Sequence, residues 1–525
     1  MALAAMPTHS ADDSALTLSL DIGTSSTRAL LWDIQGREVE GVRAQTQYHM
    51  HTTPDGGVEM PADEFVQVVV DCIDQAIQQA GDRARRIRAV GVSTYWHSLL
   101  ALDDKGAPIT PIYSWADTRA CDAARKLRRD WNEPAVHSRT GCMIHPSYYP
   151  AKLTWLRDSN PELYKRAARW ASPSEYLLGI LFGPDERRVS VSMASATGLF
   201  NQDRCEWDTE TLAALDLEPG RLAPIVDLRH PARGLQDTYA SRWPDLKEAP
   251  FFPAVGDGAC GNVGSGCVSR DRMAINLGTS GAIRVVWKQD SAAEESGSGP
   301  TGAPATAAAS PEPIELPSGL WRYRVDRSMQ IIGAAFSDGG NVFAWMNSTL
   351  KLPAPEELEN ELAARQPGTH GLTFLPFLAG ERSLGWNPDA RASLVGMNLN
   401  TSPVDIVCAS LEAVALRFAL AADLLHVQFP TANEIVASGG ALPHSPAWTQ
   451  MFADAIGKPV TVAEEPEASS RGAAMLAMEA AGIVPDVENV PAHLAHTFTP
   501  SPDRHRRYRD MLAHQQDLYA KLVTR

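Results

Sequence analysis

The sequence predicts an α/β fold with a mixed sheet, built twice, and three observations carry this. A short motif, Asp21-Ile22-Gly23-Thr24-Ser25, recurs as Asn276-Leu277-Gly278-Thr279-Ser280. Each copy follows a short apolar run and leads into another that ends in Trp, at Trp32 and Trp287. After each opening, strand patterns alternate with helical ones, the order of an α/β domain. At 525 residues the chain is too long for one hydrophobic core, so two or more domains are required.

In the first half, residues 17–21, 28–33 and 37–39 read as consecutive strands, with Gln35-Gly36 as a hairpin turn. Residues 61–80 place Phe65, Val68, Val69, Cys72, Ile73 and Ala76 at helical spacing, with Pro61 near the start and Gly81 as the stop. A β-branched strand is predicted over 87–93, and helices over 117–129, 150–158 and 161–169. In the second half, strands are predicted over 273–277, 282–287, 321–325, 434–437 and 459–462. Helices are predicted over 340–350, 403–427, 445–456 and 469–481. The domains divide as 16–255 and 256–482, followed by a helical tail over 483–525 that carries a terminal helix at 502–522. Residues 289–317 are rich in Ala, Ser, Gly, Pro and Glu and lack apolar periodicity, so a flexible insertion is expected there.

Composition is that of an ordinary globular protein, 44% hydrophobic and 21% charged. A net charge of −16 argues against a nucleic-acid or anionic-membrane surface. It does not exclude a small anionic substrate, because helix N-termini or a metal ion can reverse the field inside a cleft. Residues 1–15 contain Asp12 and Asp13 but no Lys or Arg, and are expected to form a disordered lead rather than a targeting signal. No apolar run is long enough to span a bilayer. Seven cysteines are scattered without CxxC pairing, which favours reduced thiols and a cytoplasmic protein over a disulfide framework or a zinc site. The sequence carries no signal for oligomeric state, and a homodimer is one open option.

A glycine turn lined with hydroxyls presents N–H and O–H groups to an anion. Two such turns suggest two domains gripping one polyphosphate, although a single copy could be a plain hairpin turn. There is no Gly-x-x-x-x-Gly-Lys-Ser/Thr, no His-Arg-Asp and no Asp-Phe-Gly, so the chain is neither a Walker-A enzyme nor a protein kinase. Gly261, Gly264 and Gly266 do not fit the dinucleotide fingerprint, which removes a nicotinamide dehydrogenase. Asp21 ends the first strand and suits a hydrated Mg²⁺. Asp257 stands between Gly256 and Gly258 at the domain junction. It could take the proton of an attacking hydroxyl, worth about 10²–10⁴-fold, or simply form a turn.

Across residues 16–482 the chain resembles the FGGY family of carbohydrate kinases. The resemblance is carried by Asp21 to Arg28, Trp115-Ala-Asp117-Thr-Arg119, Thr140-Gly141 with Lys152 to Leu156, Gly256-Asp257-Gly258, and Asn276 to Gly281. It continues through Gly380-Glu381-Arg382 with Trp386 to Arg391, Ser438-Gly439-Gly440, and Glu467 to Ala474. The family implies two actin-like (RNase H-like) ATPase domains around a deep cleft, with ATP mainly on the second and the sugar mainly on the first. By position, Asp257 corresponds to the catalytic base and Asp21 to a water-mediated Mg²⁺ partner. Thr24, Ser25, Ser26 and Arg28 fall at the first phosphate loop, and Gly278, Thr279 and Ser280 at the second. Gly339, Gly340, Gly439 and Gly440 would let the nucleotide approach the backbone, and Ser445 would lie near the base. Within the family, residues 140–152 and 192–201 look most like the gluconate kinases. That resemblance implies a sugar pocket of Trp96, His97, Trp115, Asp117, His145 and Tyr148, closed by Asp257.

The expected activity is therefore transfer of the ATP γ-phosphoryl to a small sugar or sugar acid, most of all gluconate. A xylulose, ribulose or polyol kinase is the alternative, since Tyr95-Trp96-His97 stands where many sugar kinases carry Met-His and a Trp would reshape the pocket. Arg119 is the candidate partner for a substrate carboxylate, or else a tie for the Asp117 loop. A non-catalytic actin-like ATPase or a sugar-sensing pseudokinase is the rival of another class.

Overall fold

Two mixed sheets, each opening on one copy of the repeated turn, organise the molecule. The computed structural model describes residues 14–289 and 316–523. The lead expected at 1–15 and the insertion expected at 289–317 lie, apart from their edge residues, outside the described residues.

The first sheet contains β1 (Leu16–Ile22), β2 (Ser26–Trp32), β3 (Glu38–Gln47), β4 (Ile87–Thr94) and β5 (Val255–Gly256), in the order β5-β4-β1-β2-β3. Helix α1 (Ala62–Ala80) packs along β2 and β3. Every residue of β1 is buried, as befits a central strand covered on both faces. The strand predicted at 37–39 runs on to Gln47, where only Val42 and Ala44 are buried. Its Glu, Arg and Gln residues face solvent at the sheet edge, which hides it from an apolar-pattern reading.

A short helix, α2 (Asp257–Gly264), follows β5 directly. The second sheet then contains β6 (Arg272–Leu277), β7 (Gly281–Lys288), β8 (Trp321–Arg324), β9 (Met329–Phe336), β10 (Glu434–Ser438), β11 (Val460–Ala463) and β12 (Leu494–Phe498), in the order β8-β9-β7-β6-β10-β11-β12. Helices α3 (Gly340–Thr349), α4 (Pro403–Gln428), α5 (Pro446–Ile456), α6 (Ala468–Ala480) and α7 (Pro502–Leu522) belong to this half, with a further helix at Pro355–Ala364. The tail is integrated: β12 pairs with β11, and α7 buries Tyr508 and Leu512 in the second core.

The duplication extends to register. Asp21 pairs with Arg28 across the antiparallel β1–β2 hairpin and with Ser93 on parallel β4. Asn276 pairs with Ala282 across β6–β7 and with Ser438 on parallel β10. The turns differ in length. Gly23 to Ser26 lie between the last paired residues of the first, and Gly278 to Ser280 between those of the second.

Helix α6 belongs to the second half in sequence but packs on β1, β4 and α2 of the first. Its Ala473, Met475, Leu476 and Ala477 join the core that holds Leu18, Leu20 and Ala89. Glycines permit this contact: a Cβ at Gly472 would lie 1.9 Å from the Cys260 carbonyl oxygen, and one at Gly264 would lie 1.8 Å from that of Ala468. Fully buried Arg471 then donates to the carbonyls of Gly36 (2.8 Å), Gly264 (2.5 Å) and Pro491 (2.7 Å). One side chain thereby joins the β2–β3 turn, α2 and the segment before β12.

Elsewhere the predicted helix at 161–169 is shorter: a helix spans Pro161–Arg166, and Arg169–Ala171 is a strand paired to Leu100–Leu102. The helix predicted at 117–129 begins at Cys121, because Asp117 anchors the preceding turn. All seven cysteines are free. Among the described residues no helix is long and apolar enough to cross a membrane.

Candidate active site

The first glycine turn is tight, closed by the Gly23 N–H on the Ser26 carbonyl (2.9 Å). Tyr48 braces it: its hydroxyl bonds the Gly23 carbonyl and its N–H the Ser25 carbonyl (3.0 Å). Thr24 and Ser25 project from the turn, whereas Ser26 starts β2 and is buried. The second turn is built against two other segments. Gly340 N–H donates to the Gly278 carbonyl (2.7 Å), Asn341 N–H to that of Thr279 (3.1 Å), and Ala441 N–H to that of Leu277 (3.0 Å). Gly278, Thr279, Ser280, Gly339, Gly340, Gly439 and Gly440 thus come together, and Thr279 is exposed. Ser445 has a structural duty. Its hydroxyl caps α5 by accepting from Trp448 N–H (3.2 Å) and donates to Glu359 (2.9 Å).

Between the turns lies a cluster of carboxylates around one arginine. Arg28 stands 3.6 Å from Asp21 and 3.3 Å from Glu467, and Glu467 also pairs with Arg43 (2.8 Å). Burial raises Asp21 to about 6; the Ser93 hydroxyl and Arg28 oppose the rise, while Asp257 and Glu467 add to it. Asp257 and Glu467 both repel charge on Asp21, and a divalent cation beside Asp21 would relieve that repulsion, so this carboxylate fits a metal-assisted site. Arg28, expected at the phosphates, is held on its inner side by this cluster.

Asp257 begins α2. Its carboxylate accepts the N–H of Gly258 (2.7 Å). Burial raises its pKa, against Arg284, that N–H and Arg382, which lower it. The flanking glycines have a purpose other than ligand approach. A Cβ at Gly256 would lie 1.8 Å from the Trp96 ring, and one at Gly258 would lie 2.7 Å from that ring and 2.9 Å from the Arg284 guanidinium. Trp96 is a packed wall, its N–H donating to the Ser192 carbonyl (3.2 Å).

The expected sugar pocket is a nest of aromatic and imidazole rings. His97 holds a left-handed backbone (φ 66°), with its Nδ1 2.7 Å from the Ala196 carbonyl oxygen. Its ring lies 4.9 Å from Tyr148 and 5.8 Å from Tyr323. His145 Nδ1 faces the Ser147 hydroxyl at 3.0 Å. Burial, first of all, pushes both imidazoles well below their usual pKa, so both are neutral hydrogen-bonding groups. The Tyr148 and Tyr323 hydroxyls meet at 2.5 Å. Trp115 borders the nest, with its carbonyl bonded by the Ser147 hydroxyl (2.9 Å).

Asp117 stands apart from these groups chemically. Its oxygens accept from Val58 N–H (3.2 Å), Arg119 N–H (3.0 Å) and the Arg119 guanidinium (2.5 Å). Arg119 also binds Glu59 (2.5 Å) and lies over the rings of Tyr113 and Trp155. Of its two expected roles, Arg119 fulfils the tie, and its charge is already matched.

Three groups escaped the sequence reading. Tyr323, on β8, brings the second half into this nest of rings. Arg284 lies on β7 beside Asp257, and burial lowers its pKa to about 10. Arg382 lies over Trp115 at 5.2 Å from the ring centre. Arg284 could have been noticed as a charge inside an apolar strand, and Arg382 within Gly380-Glu381-Arg382. The cavities bordering Arg382 and bordering His145 with Tyr148 measure about 10 Å³ each. Each holds about one water, and neither is lined by Asp257, Trp96 or His97.

Comparison with known proteins agrees with this architecture. The N-terminal domain of the FGGY family of carbohydrate kinases matches residues 16–264, and its C-terminal domain matches residues 273–481. A gluconokinase of Bacillus subtilis (strain 168) is 28% identical over 94% of both chains. A glycerol kinase of Methylobacterium nodulans is 27% identical over 93% of this chain and 94% of its own. The crystal structure of a gluconate kinase from Lactobacillus acidophilus shares the fold at a TM-score of 0.85, with 24% identity over 97% of this chain and 98% of that one. Plasmodium falciparum glycerol kinase with ADP does so at 0.80, with 18% identity over 97% and 98%. The family makes ATP the phosphoryl donor. With two mixed sheets, paired glycine turns and both family domains in one chain, the protein belongs to the FGGY family of carbohydrate kinases and is a sugar kinase with the two-domain, actin-like ATPase fold.

Proposed function

We propose that this kinase converts gluconate to 6-phosphogluconate with Asp257 as general base. The observation that carries the reading is the position of Asp257. Its carboxylate feels Asp21 on one side and borders Trp96 on the other, with Arg284, Arg382 and the Gly258 N–H favouring its ionised form. The likeness to gluconokinases over 94% of both chains supports the choice of substrate.

In this mechanism Thr24 and Ser25 on one turn, and Thr279 and Ser280 on the other, hold the phosphates of ATP. His97, His145 and Tyr148 bond the sugar hydroxyls, and Trp96 and Trp115 flank its C–H faces. Asp257 takes the proton of the terminal hydroxyl. That oxygen forms a bond to the γ-phosphorus as the bond to the β–γ bridging oxygen breaks, and ADP leaves. Arg28 and the turn N–H groups stabilise charge on the transferring phosphoryl. Asp21 would hold Mg²⁺ through water, and the ion would neutralise phosphate charge. Closure of the lobes excludes water, which limits hydrolysis of ATP. The free thiols fit a reducing cytoplasm.

A coupled ADP-release assay over gluconate, xylulose, ribulose, glycerol and erythritol tests the reading. The expected result is sugar-dependent release that is greatest with gluconate. Greatest release with a ketose or polyol would replace gluconate with the alternative, and sugar-independent release would favour an actin-like ATPase of the chaperone type.

A further inference from the structure

Two guanidinium groups enter the substrate half of the cleft, and one carboxylate faces them. The Nε atoms of Arg284 and Arg382 are buried without a hydrogen-bond partner. Neither side chain forms an ion pair within 4.0 Å among the described residues. Asp257 can balance one of the two charges, which leaves one over. Nearby charges cancel among themselves: Arg119 pairs with Asp117 and Glu59, and Lys152 lies close to Asp117. Both residues are half-buried, and a guanidinium with a buried, unpartnered Nε and no ion pair is open to an anion that arrives with a ligand.

The carboxylate next to Arg382 in sequence is turned away. Glu381 pairs with Arg417 and accepts from the Tyr519 hydroxyl (2.5 Å) and Gly385 N–H (3.2 Å). These bonds fix the loop while leaving the Arg382 charge unmatched. Asp338, which shares a cavity with Arg382, is committed to Asn341 (2.8 Å) and Ala379 N–H (3.3 Å).

The two arginines differ in place. Arg284 lies against Asp257, at the reacting end. Arg382 rests on Trp115, and its field bears on His97, His145 and Tyr148, at the ring-lined end. We infer that Arg382 receives the carboxylate of an open-chain sugar acid whose far hydroxyl is presented to Asp257, and that it thereby sets the preference for an acid over a neutral sugar. This rests on the gluconate reading. Stacking on Trp115 leaves the guanidinium edge free for a two-pronged carboxylate bond.

The test compares kcat/KM for gluconate and for gluconamide, its neutral C1 amide, in the unaltered enzyme, in Arg382→Gln and in Arg382→Lys. The unaltered enzyme should prefer gluconate by about 10²-fold. In Arg382→Gln the ratio should fall toward one through a higher KM for gluconate, with the KM for ATP unmoved. Arg382→Lys keeps the charge but loses the fork, and should retain part of the preference; it serves alone if the Gln variant does not fold. A full preference in both variants, or a rise in KM for ATP in place of gluconate, overturns the inference while leaving gluconate as substrate. If the unaltered enzyme rejects both acid and amide but phosphorylates a ketose or polyol, the gluconate reading itself has failed.

Discussion

The ring of Trp96 occupies the space in which a side chain at position 256 would begin, 1.8 Å from where its first carbon would stand. Gly256→Ala should therefore push the indole toward the substrate and destabilise the protein by about 1–3 kcal/mol, as overpacking does. Trp96→Met in the same chain removes the ring and should restore much of the loss. Thermal melts and gluconate kinetics of the single and double variants check this. A double variant as impaired as Gly256→Ala alone would show that the glycine serves something other than Trp96.

Asp257→Asn removes the proposed proton acceptor and keeps the shape. Turnover should drop by about 10²–10⁴-fold or more, while ATP affinity measured by calorimetry stays within about twofold. Unchanged turnover would remove Asp257 from the chemistry.

The base must be ionised to act, and burial holds the Asp257 carboxyl above its ordinary value of 3.8. The rate should therefore rise with pH through an acidic limb displaced upward from that value. A kcat profile, corrected for unfolding, reads the limb directly, and a rate flat from pH 4 upward would contradict it.

Asp21 offers a stability test with a definite sign. Its native carboxyl is raised from 3.8 to about 6, so the native state favours the protonated form more than the unfolded chain does. The resulting cost is absent below about 4 and complete above about 6. Asp21→Asn, which reproduces the residue found at 276, should raise the melting temperature at pH 7.5, by at most about 3 kcal/mol of stability. The gain should shrink as pH falls through 6, and activity should be lost at every pH. A variant less stable at pH 7.5 would mean that the ion pair with Arg28 outweighs burial.

Tyr519 lies on the terminal helix but bonds Glu381, beside Arg382. Tyr519→Phe should cost about 1 kcal/mol in stability and raise the KM for gluconate several-fold, with kcat little changed. An unmoved KM would separate the helix from substrate positioning.

Much of the scaffold was legible in the sequence because its signals are local. The turns at Gly23 and Gly278 repeat with their flanking strands, and α1, α4 and α7 show helical periodicity. Asp257 and the ring-bearing residues 96, 97, 145 and 148 could be named from the family pattern. Arg382 was visible in the Gly380-Glu381-Arg382 motif but its place beside Trp115 was not, and Tyr323 gave no signal, since the importance of each depends on which residues the fold sets opposite them. Arg382 matters because Glu381 is diverted to Arg417, and nothing in the order Glu-Arg says so. Arg119 was ambiguous for the same reason, until Glu59, distant in sequence, was found on its guanidinium.

The placement of α6 bears on how the protein is made. The core beneath β1 and β4 lacks a wall until Ala468–Ala480 has left the ribosome, after nearly all of the second lobe has been translated. The lobe translated first is therefore completed late, and until then it exposes apolar surface of the kind that favours aggregation.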